Sequence, residues 1–260
     1  TLARNAPDTS RAETMEKAGA DREAVWRETG FWRGPDGAWR FELDTSRRML
    51  KPAGLARAEK EPQPLASVID HPALFAAYPR MRGITVERRV ATGSPEAAFD
   101  EKHGHISLTG PRETDWGRVL AHEVQHAIQG WEVWDKGGDM TADSIIEPLV
   151  EERRRLNREL TEMAQSGRYD SPEYRAKAAR RDAIISQEWE IENPDNARGA
   201  YDAYRRLAGE AEARLAERRL GMTPAERAAE PPWETLEKML RGEGLLKDGQ
   251  RIEDVLIRPR

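Results

Sequence analysis

The segment Trp116-Gly-Arg-Val-Leu-Ala-His-Glu-Val-Gln-His-Ala-Ile-Gln-Gly130 constrains the fold more than any other stretch of this chain. Leu120, Val124 and Ile128 recur every four residues, so the segment reads as a helix with one apolar side. Trp116 and Ala127 extend that stripe. Thr114 and Asp115 supply helix-start chemistry, and Gly130 reads as the stop. His122 and His126 stand four apart and therefore share a face. That face neighbours the apolar stripe, so the helix can bury one side and aim two imidazoles into a cleft. Two imidazoles one turn apart suit a single metal ion. Glu123, directly after the first, is placed to act as general base beside it.

A catalytic zinc site takes three protein ligands and keeps a fourth position for water. The chain has no cysteine and five histidines, none of them after His126. Thiolate ligands and a third downstream histidine are both excluded. Position 129 is Gln129, where the motif extended by a third histidine requires glycine. The third ligand is then a downstream carboxylate or one of His71, His103 and His105. Glu210 is the foremost carboxylate, because Ala208, Gly209, Ala211 and Ala213 around it permit close helix packing. Glu212 competes, but it lies about 200° further round a helix, so both cannot face one ion. Glu132 is a third choice. Zinc follows from ligand type, and iron, cobalt or manganese accept the same donors.

With a metal present, peptide hydrolysis needs a base for water, assigned to Glu123, and a donor for the oxyanion. His103, His105, Tyr201 and Tyr204 are the oxyanion or substrate-binding candidates. His103-Gly-His-Ile-Ser-Leu-Thr109 alternates as a short strand, which would put His103 and His105 on one face. As an edge strand it would accept an extended peptide.

Charged residues make up 34% of the chain and the net charge is −5. No apolar run approaches the length of a transmembrane helix, so no membrane partner is expected. The mixed charges give no general basic surface, and nucleic acid is not indicated. The absence of cysteine suits a reducing compartment, and the reading is cytoplasmic, or virion-packaged and delivered to the host cytoplasm. The expected partner is a protein or peptide substrate, including the longer chain from which this piece would be processed.

Along the chain, residues 1–20 read as a leader or fraying helix and residues 21–236 as the main domain. Asp21–Thr29 reads as a helix, and Gly30–Leu43 as a hairpin turning at Gly34-Pro-Asp-Gly37. Residues 44–64 read as loop, and Leu65–Tyr78 as helical until Pro72. Ile84–Val90 reads as a strand. Residues 141–195 read as a charged helical hairpin, about 143–165 and 172–192, with solvated faces. One further helix is expected over Tyr201–Leu220, ending at Gly221. Residues 237–260 read as a tail, preceded by Trp233 as a packing anchor. The fold class is α+β: a small, mostly antiparallel sheet on the metal helix, then a helical C-terminal half.

Several stretches together resemble a known family. They are Trp26–Leu43, His71-Pro-Ala-Leu-Phe-Ala-Ala-Tyr-Pro79, Leu120–Gln129 and Gly209-Glu-Ala-Glu-Ala-Arg-Leu-Ala-Glu-Arg-Arg-Leu-Gly-Met-Thr-Pro224. In this order they resemble a zincin-like large polyvalent protein-associated domain, over most of residues 26–236. Such domains sit inside long multi-domain proteins of phages and mobile elements. The resemblance implies a zincin fold and a zinc metallopeptidase, with His122, His126 and Glu210 as ligands and Glu123 as catalytic residue. Glu210 and Ala213 fit the Glu-x-x-Ala pattern of glutamate zincins. Arg214 departs from the aspartate many of them carry next, which puts that outer role in doubt. Peptide deformylase shares the histidine pattern but needs a cysteine ligand. Two other classes remain, a non-catalytic zinc-stabilised interaction module and a metal-free helical adaptor.

Overall fold

A computed structural model describes residues 7–45, 48–134, 142–192 and 197–258. Residues 1–6 of the expected leader and 259–260 of the expected tail lie outside the described residues. The chain divides into two compact units. The first comprises residues 1–134 and 212–238, the second residues 135–211 and 239–260.

The first unit begins with α1 (Ser10–Lys17) and α2 (Arg22–Thr29). Asp21 caps α2 by accepting from Ala24 N, and Gly30 ends it at φ 75°, a conformation costly for residues with a Cβ. Strands β1 (Phe31–Arg33) and β2 (Trp39–Phe41) form the expected antiparallel hairpin, with Phe31 opposite Phe41. Ala12 of α1 is buried in one cluster with Val25 and Phe31, so the stretch expected to be a leader contributes to packing. Trp233 sits edge-on to Trp26 at 5.9 Å between ring centroids, as an anchor should.

The stretch read as loop contains β3 (Met49–Leu50) and α3 (Pro52–Arg57), with Pro52 at the first helical position, where its missing N–H costs nothing. Then come β4 (Gln63–Pro64), α4 (Leu65–Val68), β5 (Ile69–Asp70), α5 (Pro72–Ala77) and a 3-10 turn at Pro79–Gly83. Strand β3 pairs with β5. Strands β6 (Thr85–Val90), β7 (Glu96–Asp100) and β8 (His105–Gly110) join β4 in one sheet of order β4-β6-β8-β7. The β6–β8 pair is parallel and its neighbours are antiparallel.

Alternation sends Val86 of β6 and Ile106 and Leu108 of β8 to the buried face. They share one core with Trp116, Leu120, Val124 and Ile128 of helix α6 (Trp116–Glu132). The apolar stripe of the sequence is thus the face that holds α6 to the sheet.

The second unit contains the expected hairpin as α7 (Ala142–Gln165) and α8 (Pro172–Glu192), turning at Gly167 with φ 75°. Arg153–Glu188, Arg180–Glu152 and Lys177–Glu159 tie the two helices at 2.9, 2.9 and 2.6 Å. Ile145, Leu149, Leu156 and Ile184 pack between them. The single helix expected over Tyr201–Leu220 is two, α9 (Ala197–Arg205) and α10 (Ala208–Leu220). The break falls where Leu207 pairs in parallel with Ile257. There Ala208 N donates to Ile257 O, and Ile257 N to Arg206 O. Helices α11 (Pro224–Ala229), α12 (Pro232–Gly242) and α13 (Ile252–Val255) complete the chain, and Leu245, Leu246, Leu256 and Ile257 are all buried. The boundary between the units falls within α10 and α12.

Candidate metal centre

Helix α6 starts as the sequence requires, with the Asp115 carboxylate accepting from Arg118 N. It does not stop at Gly130. It runs to Glu132 and ends on Val133 at φ 57°, a strained conformation for a β-branched residue. Gly130 is small for a different reason: a Cβ there would lie 2.8 Å from Glu101 Oε1.

His122 and His126 lie one turn apart on α6, both half-buried, with ring centroids 4.8 Å apart and planes at 80°. Gln129 Oε1 stands 2.9 Å from His126 Nδ1. Glu217 Oε2 of α10 stands 3.9 Å from His122 Nδ1, and its other oxygen accepts from Arg118 at 2.9 Å. A proton on His126 Nδ1 directed at the Gln129 oxygen would leave Nε2 its lone pair, the tautomer of a metal ligand. Gln129 is 1% exposed, and Glu123 is buried as well. A buried carboxylate next to two oriented imidazoles is an unusual thing for a surface helix to carry.

Glu210 lies in the second unit, at the start of α10, and is buried. Tyr204 donates to Glu210 Oε2 at 2.7 Å. The break at Arg206–Leu207 makes this bond feasible, since on one straight helix a six-residue spacing puts the two on opposite sides. Tyr201 is 47% exposed and lies under Arg205 at 5.4 Å, without a bond to Glu210.

The competing carboxylates are held elsewhere. Glu212 accepts from Arg40 Nε at 3.0 Å and Nη2 at 2.7 Å, both side chains buried. Glu132 accepts from the Tyr78 hydroxyl, and burial pushes its carboxyl above the usual range, against the opposing effects of Tyr78 and Arg40.

The upstream histidines also have other places. His71 caps α5, its Nδ1 accepting from Leu74 N. The strand β8 begins at His105, so His103 falls in the preceding turn, and the two do not share a strand face. His103 is exposed and bonded to Asp100 at 2.7 Å, which holds the Asp100 carboxyl below its usual range. His105 Nδ1 bonds Thr85 Oγ1 at 2.8 Å. Nor is β8 an edge: it is flanked by β6 and β7, and the edges are β4 and β7.

Gln129 and Glu217 are the site residues that sequence reasoning passed over. Their signal was spacing. Gln129 stands three residues after His126, within side-chain reach on a helix, and Glu217 stands seven after Glu210, on the same face.

Residues 2–51 match the profile of large polyvalent protein associated domain 23. The match covers α1, α2, the β1–β2 hairpin and β3, and ends well before α6. The polyvalent-protein resemblance read over residues 26–236 is therefore supported only in this N-terminal stretch. No curated protein and no solved structure matches the chain. No helix among the described residues is long and apolar enough to cross a membrane.

Proposed function

We propose that His122, His126 and Glu210 bind one divalent metal ion, best zinc, and that the chain is a metal-dependent peptidase with Glu123 as its general base. The observation that carries this reading is the pair of imidazoles on α6, 4.8 Å apart between ring centroids, with Gln129 as the outer partner of His126 Nδ1. Metal-ligating histidines carry such partners, which set the tautomer and the ring orientation.

Helix geometry favours Glu210 over its neighbours. Helix α10 is unbroken from Ala208 to Leu220. Glu210 and Glu217 differ by seven residues, so they share a face to within about 20°. Glu217 already approaches His122, whereas Glu212, on the opposite side of α10, is bound to Arg40. The donor set of two imidazoles and one carboxylate fits zinc with a position left for water.

Bound zinc would supply Lewis acidity, making water acidic near neutrality and polarising a carbonyl. The residues of the chain do the rest. Glu123 accepts the proton of the attacking water and returns it to the leaving amine. Gln129 keeps the His126 ring in position, and the Tyr204 hydroxyl fixes one oxygen of Glu210. The edge of β7 is the part of the sheet suited to holding an extended peptide. The match at residues 2–51 supports placement in a larger polyvalent protein, and processing of that parent chain would then supply one substrate.

The test is metal content by mass spectrometry on the purified chain, beside Glu210→Ala and Glu212→Ala, followed by peptide hydrolysis by the parent and Glu123→Gln. About one zinc per chain, lost with Glu210→Ala and kept with Glu212→Ala, is expected. No zinc after loading and dialysis would sink the site. Zinc retained with no peptide hydrolysis by the parent would leave a metal-stabilised interaction module, and hydrolysis unchanged in Glu123→Gln would remove Glu123 as the base.

A further inference from the structure

Beside α6 the first unit holds a cavity of about 110 Å3, partly open to solvent. Leu120, Val124 and Ile128 line it, together with Trp32, Leu74 and Leu215. Ala121 and Gln125 complete the α6 wall, and neither His122 nor His126 lines the cavity. The cavity is separate from the candidate metal centre, and its occupancy does not depend on the metal reading.

Its polar wall is cationic. Arg40, Arg48, Arg219 and Arg227 line it, against the carboxylates Glu42 and Glu212. Arg40 is bound to Glu212 and Asp36, and Arg219 to Glu42. Arg48 and Arg227 instead donate to backbone carbonyls, of Gly117 for the first and of Arg219 and Leu43 for the second. Neither has a carboxylate at ion-pair distance among the described residues. Burial pulls both guanidinium groups below the usual arginine value, against the opposing effects of Asp115 on the first and of Glu42 and Asp44 on the second. His71 on the same wall feels that field: burial first, then Arg48, lowers its pKa to about 4. It is therefore neutral at neutral pH. Since Nδ1 accepts from Leu74 N, the ring proton sits on Nε2 and makes it a donor.

Two further atoms of this wall are buried without any hydrogen-bond partner, Arg40 Nη1 and Thr45 Oγ1. Arg40 is 3% exposed. A buried donor left unsatisfied costs roughly 1–3 kcal/mol, so orphans that converge on one cavity call for an acceptor. An apolar enclosure with a few convergent polar groups is the general form of a small-molecule site.

We propose that this cavity binds a small organic monoanion with an apolar body, an aliphatic carboxylate being the chemistry that fits best. The body lies against Leu120, Val124 and Ile128. The carboxylate accepts from Arg48 and Arg227, and guanidinium groups match its two oxygens in geometry. A cation of the same length is rejected, because the wall has no carboxylate without an arginine partner to receive it.

The experiment is isothermal titration calorimetry of the whole chain with decanoate, decan-1-ol and decylamine, each below its micelle concentration. Decanoate is expected to bind at one site at least tenfold more tightly than the alcohol, with no saturable binding of the amine. Arg227→Gln is expected to weaken decanoate at least tenfold and to leave the alcohol unchanged. Should that variant fail to fold, Ala216→Leu fills the cavity from α10 and is expected to abolish decanoate binding while circular dichroism stays native. No saturable decanoate binding to the folded parent, equal binding of the amine, or undiminished binding by folded Ala216→Leu would overturn the proposal.

Discussion

Replacing Glu212 by glutamine tests whether this carboxylate belongs to the core or to a metal. In the folded chain Arg40 donates to both oxygens of Glu212, at 2.7 to 3.0 Å, and the two side chains are 3% and 2% exposed. Glutamine keeps the shape and one acceptor but removes the charge. The buried guanidinium is then left with Asp36 at 3.0 Å as its remaining carboxylate. Removing one partner of a buried pair costs about 3–5 kcal/mol. Because Asp36 stays, the lower end applies, about 3 kcal/mol. For a unit of this size that lowers Tm by roughly 6–12 °C. Urea unfolding followed by tryptophan fluorescence reads it directly, since the Trp134 ring lies 4.2 Å from the Arg40 guanidinium carbon. The double variant Arg40→Met with Glu212→Leu removes both charges together. It should recover to within about 1–2 kcal/mol of the parent, because paired burial of charge is often no better than apolar packing. Zinc content should be unaffected in either. A loss below about 1 kcal/mol in Glu212→Gln, or loss of zinc, would refute the structural role given to this pair.

Three other perturbations give distinct readouts. His71 in the fold has its pKa lowered to about 4 from 6.5, so between those values the unfolded chain binds the extra proton. Stability therefore falls as pH drops from 6.5 to 4, by about 3 kcal/mol. His71→Asn, which keeps a cap acceptor for α5, should flatten that part of an acid unfolding series; an unchanged slope would contradict it. Gly54→Ala would put a Cβ 1.7 Å from the Ser67 carbonyl oxygen, where α3 crosses α4, so a loss of about 3 kcal/mol or more is expected in thermal melts. Gln129→Leu and Tyr204→Phe remove the outer partners of His126 and Glu210. Each should weaken zinc by about 10–100-fold in a competitive chelator titration, with little change in far-ultraviolet circular dichroism.

What the sequence disclosed was governed by local chemistry. Asp115, the four-residue stripe and the two histidines act within a few turns, and α6 formed where they said. The hairpin at Gly34–Gly37 and the pair α7 and α8 were legible for the same reason. Gly130 misled because a small residue marks either a helix stop or a close approach, and here it makes room for Glu101. The break before α10 was invisible because Arg206, Leu207 and Ala208 are good helix formers. It is imposed by Ile257, some fifty residues later. Strand β7, with Pro95 before it and two alanines in it, has little propensity of its own and exists as the partner of β8. For Glu212, sequence spacing excluded joint ligation with Glu210 but gave no hint of Arg40, 172 residues away.

That last distance bears on how the chain is made. The first unit is assembled from two stretches, and the second of them ends at Lys238. A ribosome that has just delivered Trp134 must add about a hundred more residues before Glu212 and its neighbours are all available. At ordinary elongation rates this takes roughly 5–20 s. Through that interval Arg40 has no Glu212, Trp26 and Trp32 have no Trp233, and His122 has no Glu217. The nascent chain carries its paired imidazoles and Gln129 early, and Glu217 late. Any chemistry that needs the finished first unit is therefore withheld until Lys238 has been added, and translation itself sets when it begins.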